Sequence, residues 1–443
     1  MTSYKESGLR VLSRNGRFDA VGLLLDAGAD ETHLEWTALI RAVALGSLAD
    51  VRNILETSGD LEKRDWWSRT PLLVAIQCGD LAKARLLVEF GADTSACGRC
   101  GKPASFYAIE DYHTGLLEWL LEAGAPADQT DDFGTTALMT AVEHSNLEAV
   151  DLLLRAGSDV NAMRHRQTVI GFARDSAVVL RLLEAGSDPG DLPFEARRAI
   201  LGLEPDPDGA LLHAEKSDFR KAPSFRFGAL NPEVMAEPFW EGMIRSGISA
   251  YEAGCLFGAT RDDSPIWCAK RFGQSITFLT DGRIVQIGGE HEDWYDQDFC
   301  IYNDVFVHQP DGAIHIFGYP ETLFPPTDFH TATLVGDQIY VIGSLGYQGT
   351  RRYETTPVYR LDTNSFQIEA VKVHGKPPGW IYRHRAILRN QDEICIVGGE
   401  IVTGDGSEET HISNDRCFIL DIKHLTWRVS RYDGEQERPS MLH

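Results

Sequence analysis

Five side chains between His291 and Asp298 make the densest set of chemically useful groups in this sequence. His291, Glu292, Asp293, Asp296 and Asp298 follow directly on the glycine pair Gly288-Gly289, in the run GGEHEDWYDQDFC. An imidazole and carboxylates at such spacing could hold a divalent cation or a polar ligand. Neither an HExxH helix nor regular EF-hand spacing is present, so the plainer reading is a solvated acidic loop. No cofactor and no resident metal are expected.

Cys97 and Cys100 form a CxxC pair. A structural zinc needs four ligands, and no second pair follows at a useful distance. A redox pair needs a thioredoxin-like setting, which is missing, so incidental thiols at a turn are the expectation. The run Gly98-x-x-Gly101-Lys102 continues with Pro103, where a phosphate-binding loop requires Ser or Thr. No serine sits in a nucleophile elbow either. No catalytic residue can be named.

The elements that carry these groups must be modular. A chain of 443 residues is too long for one compact core. Its net charge of −24, uninterrupted by any long Lys or Arg run, repels nucleic acid and anionic membrane and draws a basic protein partner. The absence of a long apolar run or a signal-peptide core predicts a cytoplasmic protein without a membrane span. Eight cysteines scattered through so long a chain predict reduced thiols.

Self-similarity organises the first 190 residues. LLLDAGAD (23–30), LLVEFGAD (86–93), LLEAGAPAD (120–128), LLLRAGSD (152–159) and LLEAGSD (182–188) share one pattern, and Gly91, Gly124 and Gly157 stand 33 residues apart. Leucines at helical spacing give each segment one apolar face, and the glycine supplies a left-handed end cap. Thr-Ala-Leu (37–39), Thr-Pro-Leu (70–72) and Thr-Ala-Leu (136–138) then open the next helix. One helix pair leaves a face uncovered, so the pairs must stack.

These residues resemble the ankyrin repeat in about six copies. The family's small residue falls at Ala42, Ala75, Ala108 and Ala141. Its histidine is replaced by Ile40, Leu73, Phe106 and Met139, where apolar packing must compensate. The copies opening at Lys102-Pro103-Ala104 and around Gln167-Thr168-Val169 are degenerate. The resemblance implies protein binding through protruding hairpins, with Trp36, Trp66, Trp67 and Phe133 just before the helix starts as the contacts; the alternative is that these rings pack on a neighbouring turn.

Residues 203–223 are rich in Pro, Asp and Lys, and 191–222 read as a linker. Residues 231–258 look helical, with Asn231 as N-cap and Pro232 in the first turn, so 223–270 is a helical connector or an irregular blade. Beyond 271 the pattern turns to strands. QSITFLTDGRIVQIGG, HTATLVGDQIYVIGS and HRAILRNQDEICIVGG are hairpins, and Gly288, Gly343 and Gly398 stand 55 residues apart. DVFV, PVYRL and CFIL follow, then Ile314, Ile368 and Trp427. This is similar to the kelch motif, with His330 and His384 at the position opening the first strand, and it implies four-stranded blades of a propeller or partial propeller.

The fold class expected is therefore multidomain α + β. An all-α ankyrin solenoid (1–190) precedes a linker (191–222), a connector (223–270) and an all-β kelch-like domain (271–443). The function expected is a non-enzymatic scaffold that binds a protein. The alternative is a kelch-type small-molecule or carbohydrate-active enzyme, which would require the 291–298 loop to meet His330 or Arg383 in a deep pocket.

Overall fold

The computed structural model describes residues 7–57, 59–165, 167–203, 214–258, 265–292, 299–404 and 408–430. The chain divides into two compact units, Met1–Ala196 and Arg197–His443.

The first unit is a series of short helix pairs: α1 (Gly8–Arg14) and α2 (Phe18–Asp26), α3 (Ala38–Leu45) and α4 (Leu48–Thr57), α5 (Pro71–Gln77) and α6 (Leu81–Glu89), α7 (Ala104–Glu110) and α8 (Thr114–Glu122), α9 (Ala137–Glu143) and α10 (Leu147–Arg155). A small hairpin, β1 (Met163–Arg164) with β2 (Gln167–Thr168), then leads to α11 (Ser176–Glu184). In this last copy a single 3-10 turn at Val169–Phe172 replaces the first helix, which is how the expected degeneracy is expressed. The helix α12 (Phe194–Ile200) follows.

Local chemistry accounts for these boundaries. The hydroxyls of Thr37, Thr70 and Thr136 accept from the backbone N–H groups of Ile40, Leu73 and Met139. Those are three of the positions where the family places histidine, and the side chains of all three are fully buried. A threonine cap plus apolar burial thus does the work at the helix start. Pro103 caps α7 without a side-chain bond, as the weak sequence there suggests. The repeated glycines Gly28, Gly91, Gly124, Gly157 and Gly186 all take φ between 85° and 98°, a region a Cβ disfavours.

One polar network crosses the apolar stack. Arg69, fully buried, pairs with Asp65 at 2.6 Å and donates to the Ser13 carbonyl and hydroxyl at 2.7 Å and to Gln77 at 2.6 Å. Helix α1 is thereby tied to a hairpin more than fifty residues on. With its neighbours all satisfied, the buried charge is tolerated.

The second unit is built on three antiparallel sheets. The first contains β4 (Ser275–Phe278), β5 (Ile284–Ile287), β8 (Val305–His308) and β9 (Ile314–Gly318), with the short pair β6 (Glu290–His291) and β7 (Cys300–Ile301) between them. The second contains β10 (Thr331–Val335), β11 (Gln338–Ile342), β12 (Val358–Asp362) and β13 (Ile368–Ala370). The third contains β16 (Arg385–Asn390), β17 (Glu393–Val397), β20 (Cys417–Asp421) and β21 (Thr426–Ser430). A separate ribbon joins β15 (Trp380–Tyr382), β18 (Glu400–Gly404) and β19 (Glu409–Ser413). Among the described residues none of the sheets closes on itself. Ile314, Ile368 and Trp427 all fall in the fourth strand of their sheets.

The first strands of the three sheets adjoin, and the same bonds join each sheet to the next. Phe329 N–H donates to the Gly273 carbonyl at 2.8 Å, and Arg383 N–H to the Phe329 carbonyl at 2.9 Å. All three of these residues have positive φ and stand one before Gln274, His330 and His384. The glycines mark the crowded side: a Cβ on Gly288 would press on the Thr327 carbonyl, and one on Gly343 on the Ile381 carbonyl. Nothing lies within 4 Å of a Cβ placed on Gly398 in the third sheet.

Each sheet's outer edge is covered differently. The strand β3 (Glu233–Val234) adds to β9, and β14 (His374–Gly375) runs parallel to β21. On the second sheet the side chain of Asn231 imitates a strand: its amide donates to the Ile368 carbonyl and its oxygen accepts from the Ile368 N–H, both at 2.9 Å. Asn231 is therefore not a helix cap. The helix expected from 231 starts only at Pro238, as α14 (Pro238–Ser246), and α15 (Ala250–Phe257) follows.

Described residues of both the expected linker (191–222) and the connector are part of this second core, so the former is not a mere linker: it forms α12 and α13 (Lys216–Lys221) and buries Phe219. Arg198 donates to the Ile244 and Arg245 carbonyls, and Phe219 of α13 stacks on Phe257. Trp240 lies flat on Trp267 with ring centroids 4.9 Å apart. Phe239, Met243 and Trp267 pack with Tyr302, Phe306 and Ile316 of the first sheet. Described residues of 223–270 thus cap the first sheet with helices and add no sheet of their own.

Candidate functional site

The aromatic side chains singled out in the first unit are all on hairpin tips, in two roles. Trp36 and Trp66 are half-buried against Leu9, Val21 and Leu34. Phe18 lies 6.2 Å from Trp36, and Arg10 covers the Trp66 ring at 4.8 Å. These two rings brace the tip. Trp67 stands 4.9 Å from Trp66 with the guanidinium of Arg14 at 5.4 Å and that of Arg99 at 4.5 Å. Phe133 is 62% exposed.

A common turn presents Trp67 and Phe133. Asp65 accepts from the N–H groups of Trp67 and Arg69, both at 2.9 Å; Asp131 accepts from those of Phe133 at 2.9 Å and Thr135 at 2.8 Å. An aspartate that folds the backbone onto itself holds the residue two places on at the apex. Neighbouring tips are joined by the Trp66 N–H to the Leu34 carbonyl and the Asp132 N–H to the Cys100 carbonyl. The result is a rigid ledge carrying Trp67, Arg99 and Phe133. Arg64 and Arg99 are exposed, and no carboxylate among the described residues pairs with either. Cys97, in the same region, donates to the Ser95 carbonyl and accepts from Gln129, and burial raises its thiol pKa. All eight cysteines are unbridged.

In the second unit the acidic loop is only partly described. His291 is buried in β6 and Glu292 is exposed; Asp293, Asp296 and Asp298 lie outside the described residues. Among the described residues no group of three or more His, Cys, Asp or Glu side chains is placed to hold a metal. His330 shares a hydrogen bond with Ser275 of the preceding sheet at 2.8 Å, and His384 one with Thr331 at 3.0 Å. Burial lowers both imidazoles to about 3, so they are neutral at pH 7 and join the sheets. Arg383 is exposed, its guanidinium 4.3 Å from the Phe329 ring centroid.

Two constellations went unread in the sequence. Asp328, fully buried, accepts at one oxygen from the Gly346 N–H at 2.6 Å and the Ser344 hydroxyl at 3.2 Å. Its other oxygen meets no donor among the described residues, and the neighbouring Glu290 carboxyl can share a hydrogen bond with Asp328 when it is protonated. Burial, and then the charge of Asp328, push Glu290 up to about 8. In the ribbon, the Tyr382 hydroxyl donates to Glu400 and lies 2.8 Å from His411 Nδ1. Gly-Gly-Glu occurs at both 288–290 and 398–400, which was the available signal.

Residues 9–97 and 93–164 match the family model described as ankyrin repeats, in three copies. The first unit therefore carries ankyrin repeats, the class of module that binds protein partners. No curated protein matches the chain. Among the described residues no helix is long and apolar enough to cross a membrane.

Proposed function

We propose that this chain is a scaffold that captures a protein partner on its ankyrin hairpin tips, in the cytoplasm and without catalysis of its own. Trp67 and Phe133 make the contact, while Trp36 and Trp66 hold the ledge beneath them. The observation that carries this reading is the shared aspartate turn, which fixes two aromatic rings at the apex two 33-residue steps apart. Rigid aromatic anchors beside guanidinium groups are the composition of binding hot spots. The charge of −24 draws basic partners at long range, whereas Arg64 and Arg99 favour a carboxylate at contact.

The three sheets we read as kelch-like blades offering a second binding surface through their loops. Support comes from the glycines at the crowded strand ends and the histidines between sheets. The experiment is an affinity capture from cell extract with identification of the retained protein, comparing wild type with W67A/F133A. Loss of that protein with an unchanged melting curve supports the reading; undiminished capture overturns it.

A further inference from the structure

Two cysteines remote from the hairpin tips stand in contact. Cys395 in β17 and Cys417 in β20 lie on neighbouring antiparallel strands at the centre of the third sheet. Cys395 is paired with Ile419, which puts Cys417 two residues along on the same face, diagonally across the ladder. The two sulfurs are 2.7 Å apart. Both side chains are buried, among Ile387, Val397 and Ile419. Among the described residues no other pair of cysteine sulfurs is in contact, the CxxC pair included.

We propose that Cys395 and Cys417 are a redox modification site, closing reversibly into a disulfide when the chain meets a small-molecule disulfide such as oxidised glutathione. Diagonal neighbours have Cβ atoms farther apart than directly opposite ones, so it is the meeting of the two sulfurs at 2.7 Å that brings the pair within reach, and closing the bond draws the two strands together locally. Among the described residues no group of three or more metal-ligating side chains forms, and the cluster that holds the two cysteines is apolar. The bond would close the neck of the excursion between β17 and β20, which carries β18 and β19 with Glu400, Glu409 and His411.

The chemistry balances without any other reactant. One cysteine loses its proton and attacks a sulfur of the oxidant, expelling one glutathione thiolate. The second, also deprotonated, attacks the protein sulfur of the mixed disulfide and expels the other. Two electrons pass to the oxidant, which leaves as two thiols carrying the two protons. Burial makes the step slow in the folded chain and shields the finished bond from reductant.

The test uses the full chain at graded ratios of oxidised to reduced glutathione, both in the native state and during refolding from urea, so that burial does not mask the outcome. Samples are acid-quenched, unfolded, alkylated and digested for mass spectrometry. Expected is joint loss of alkylation at Cys395 and Cys417, one cross-linked peptide, and full reversal by dithiothreitol. Cleavage of the β18–β19 excursion by added protease should slow several-fold. In C395S, Cys417 should remain alkylated; C395A/C417V should fold, by circular dichroism, and never cross-link. Full alkylation of both residues under every condition, or glutathione adducts without the internal bond, would overturn the proposal.

Discussion

The imidazole of His330 lies 2.8 Å from the hydroxyl of Ser275, one sheet away. The pair formed by His384 and Thr331 repeats this across the next boundary. Because a buried imidazole is held well below its ordinary value, folding favours the neutral ring. The unfolded chain takes up protons first as pH falls below about 6.5, so the contribution is complete above that pH and is lost on acidification. Each histidine should cost about 2 kcal/mol of stability between pH 7 and 5. Urea melts over that range should show the slope, flattened in H330Q/H384Q, and S275A should cost about 1 kcal/mol at pH 7.

The carboxyl pair of Glu290 and Asp328 imposes the opposite slope. Glu290 is raised to about 8, so its folded form keeps a proton that the unfolded chain releases near ordinary carboxyl pH. The stabilisation is complete below that lower range and fades as pH climbs through about 8. E290Q keeps a donor toward Asp328 without titrating. Its melting temperature should fall less than the wild type's between pH 7 and 9, as scanning calorimetry would show.

Arg69 and Asp65 separate packing from charge. R69A leaves a buried carboxylate without its partner and should cost about 3–5 kcal/mol in chemical denaturation. R69M/D65N should recover part of that loss, since the uncompensated charge is gone. Equal losses in the two variants would mean that the guanidinium acts mainly through its hydrogen bonds to Ser13 and Gln77, which neither variant keeps.

Two glycines with similar dihedrals should respond differently. Gly28 has φ 91° and open space around a Cβ, so G28A should cost about 1 kcal/mol. Gly343 has φ 76°, and a Cβ there would press on the Ile381 carbonyl and the His384 ring. G343A should cost more than about 2 kcal/mol, because backbone strain and overpacking add. Thermal unfolding of the pair is a direct comparison.

Trp66 and Trp67 are adjacent in sequence, and the proposed function gives them opposite roles. W66A should lower stability by about 2 kcal/mol through lost packing, while W67A should leave the melt nearly unchanged and weaken partner capture. That division was not legible from the sequence, where both rings merely precede a helix. The Asp65 turn that holds the Trp67 and Arg69 N–H groups carries no signal separating one ring from the other in the sequence. Helix pairs and hairpins were legible because glycine and leucine recur at fixed local spacing. The Glu290–Asp328 pair was not, since it joins a residue of β6 to one in the segment before β10. Nor was the place of 223–270, whose described helices have no period and answer only to the face of the first sheet.

Asn231 reaches 137 residues along the chain to occupy the last strand of the second sheet. A fragment begun at residue 271, where the strand pattern first shows, would lack both that amide and β3. Two outer strands would then present bare N–H and C=O groups to solvent, a template on which other polypeptides can dock and polymerise. Solubility of the isolated C-terminal half should therefore hinge on whether it starts before or after this asparagine.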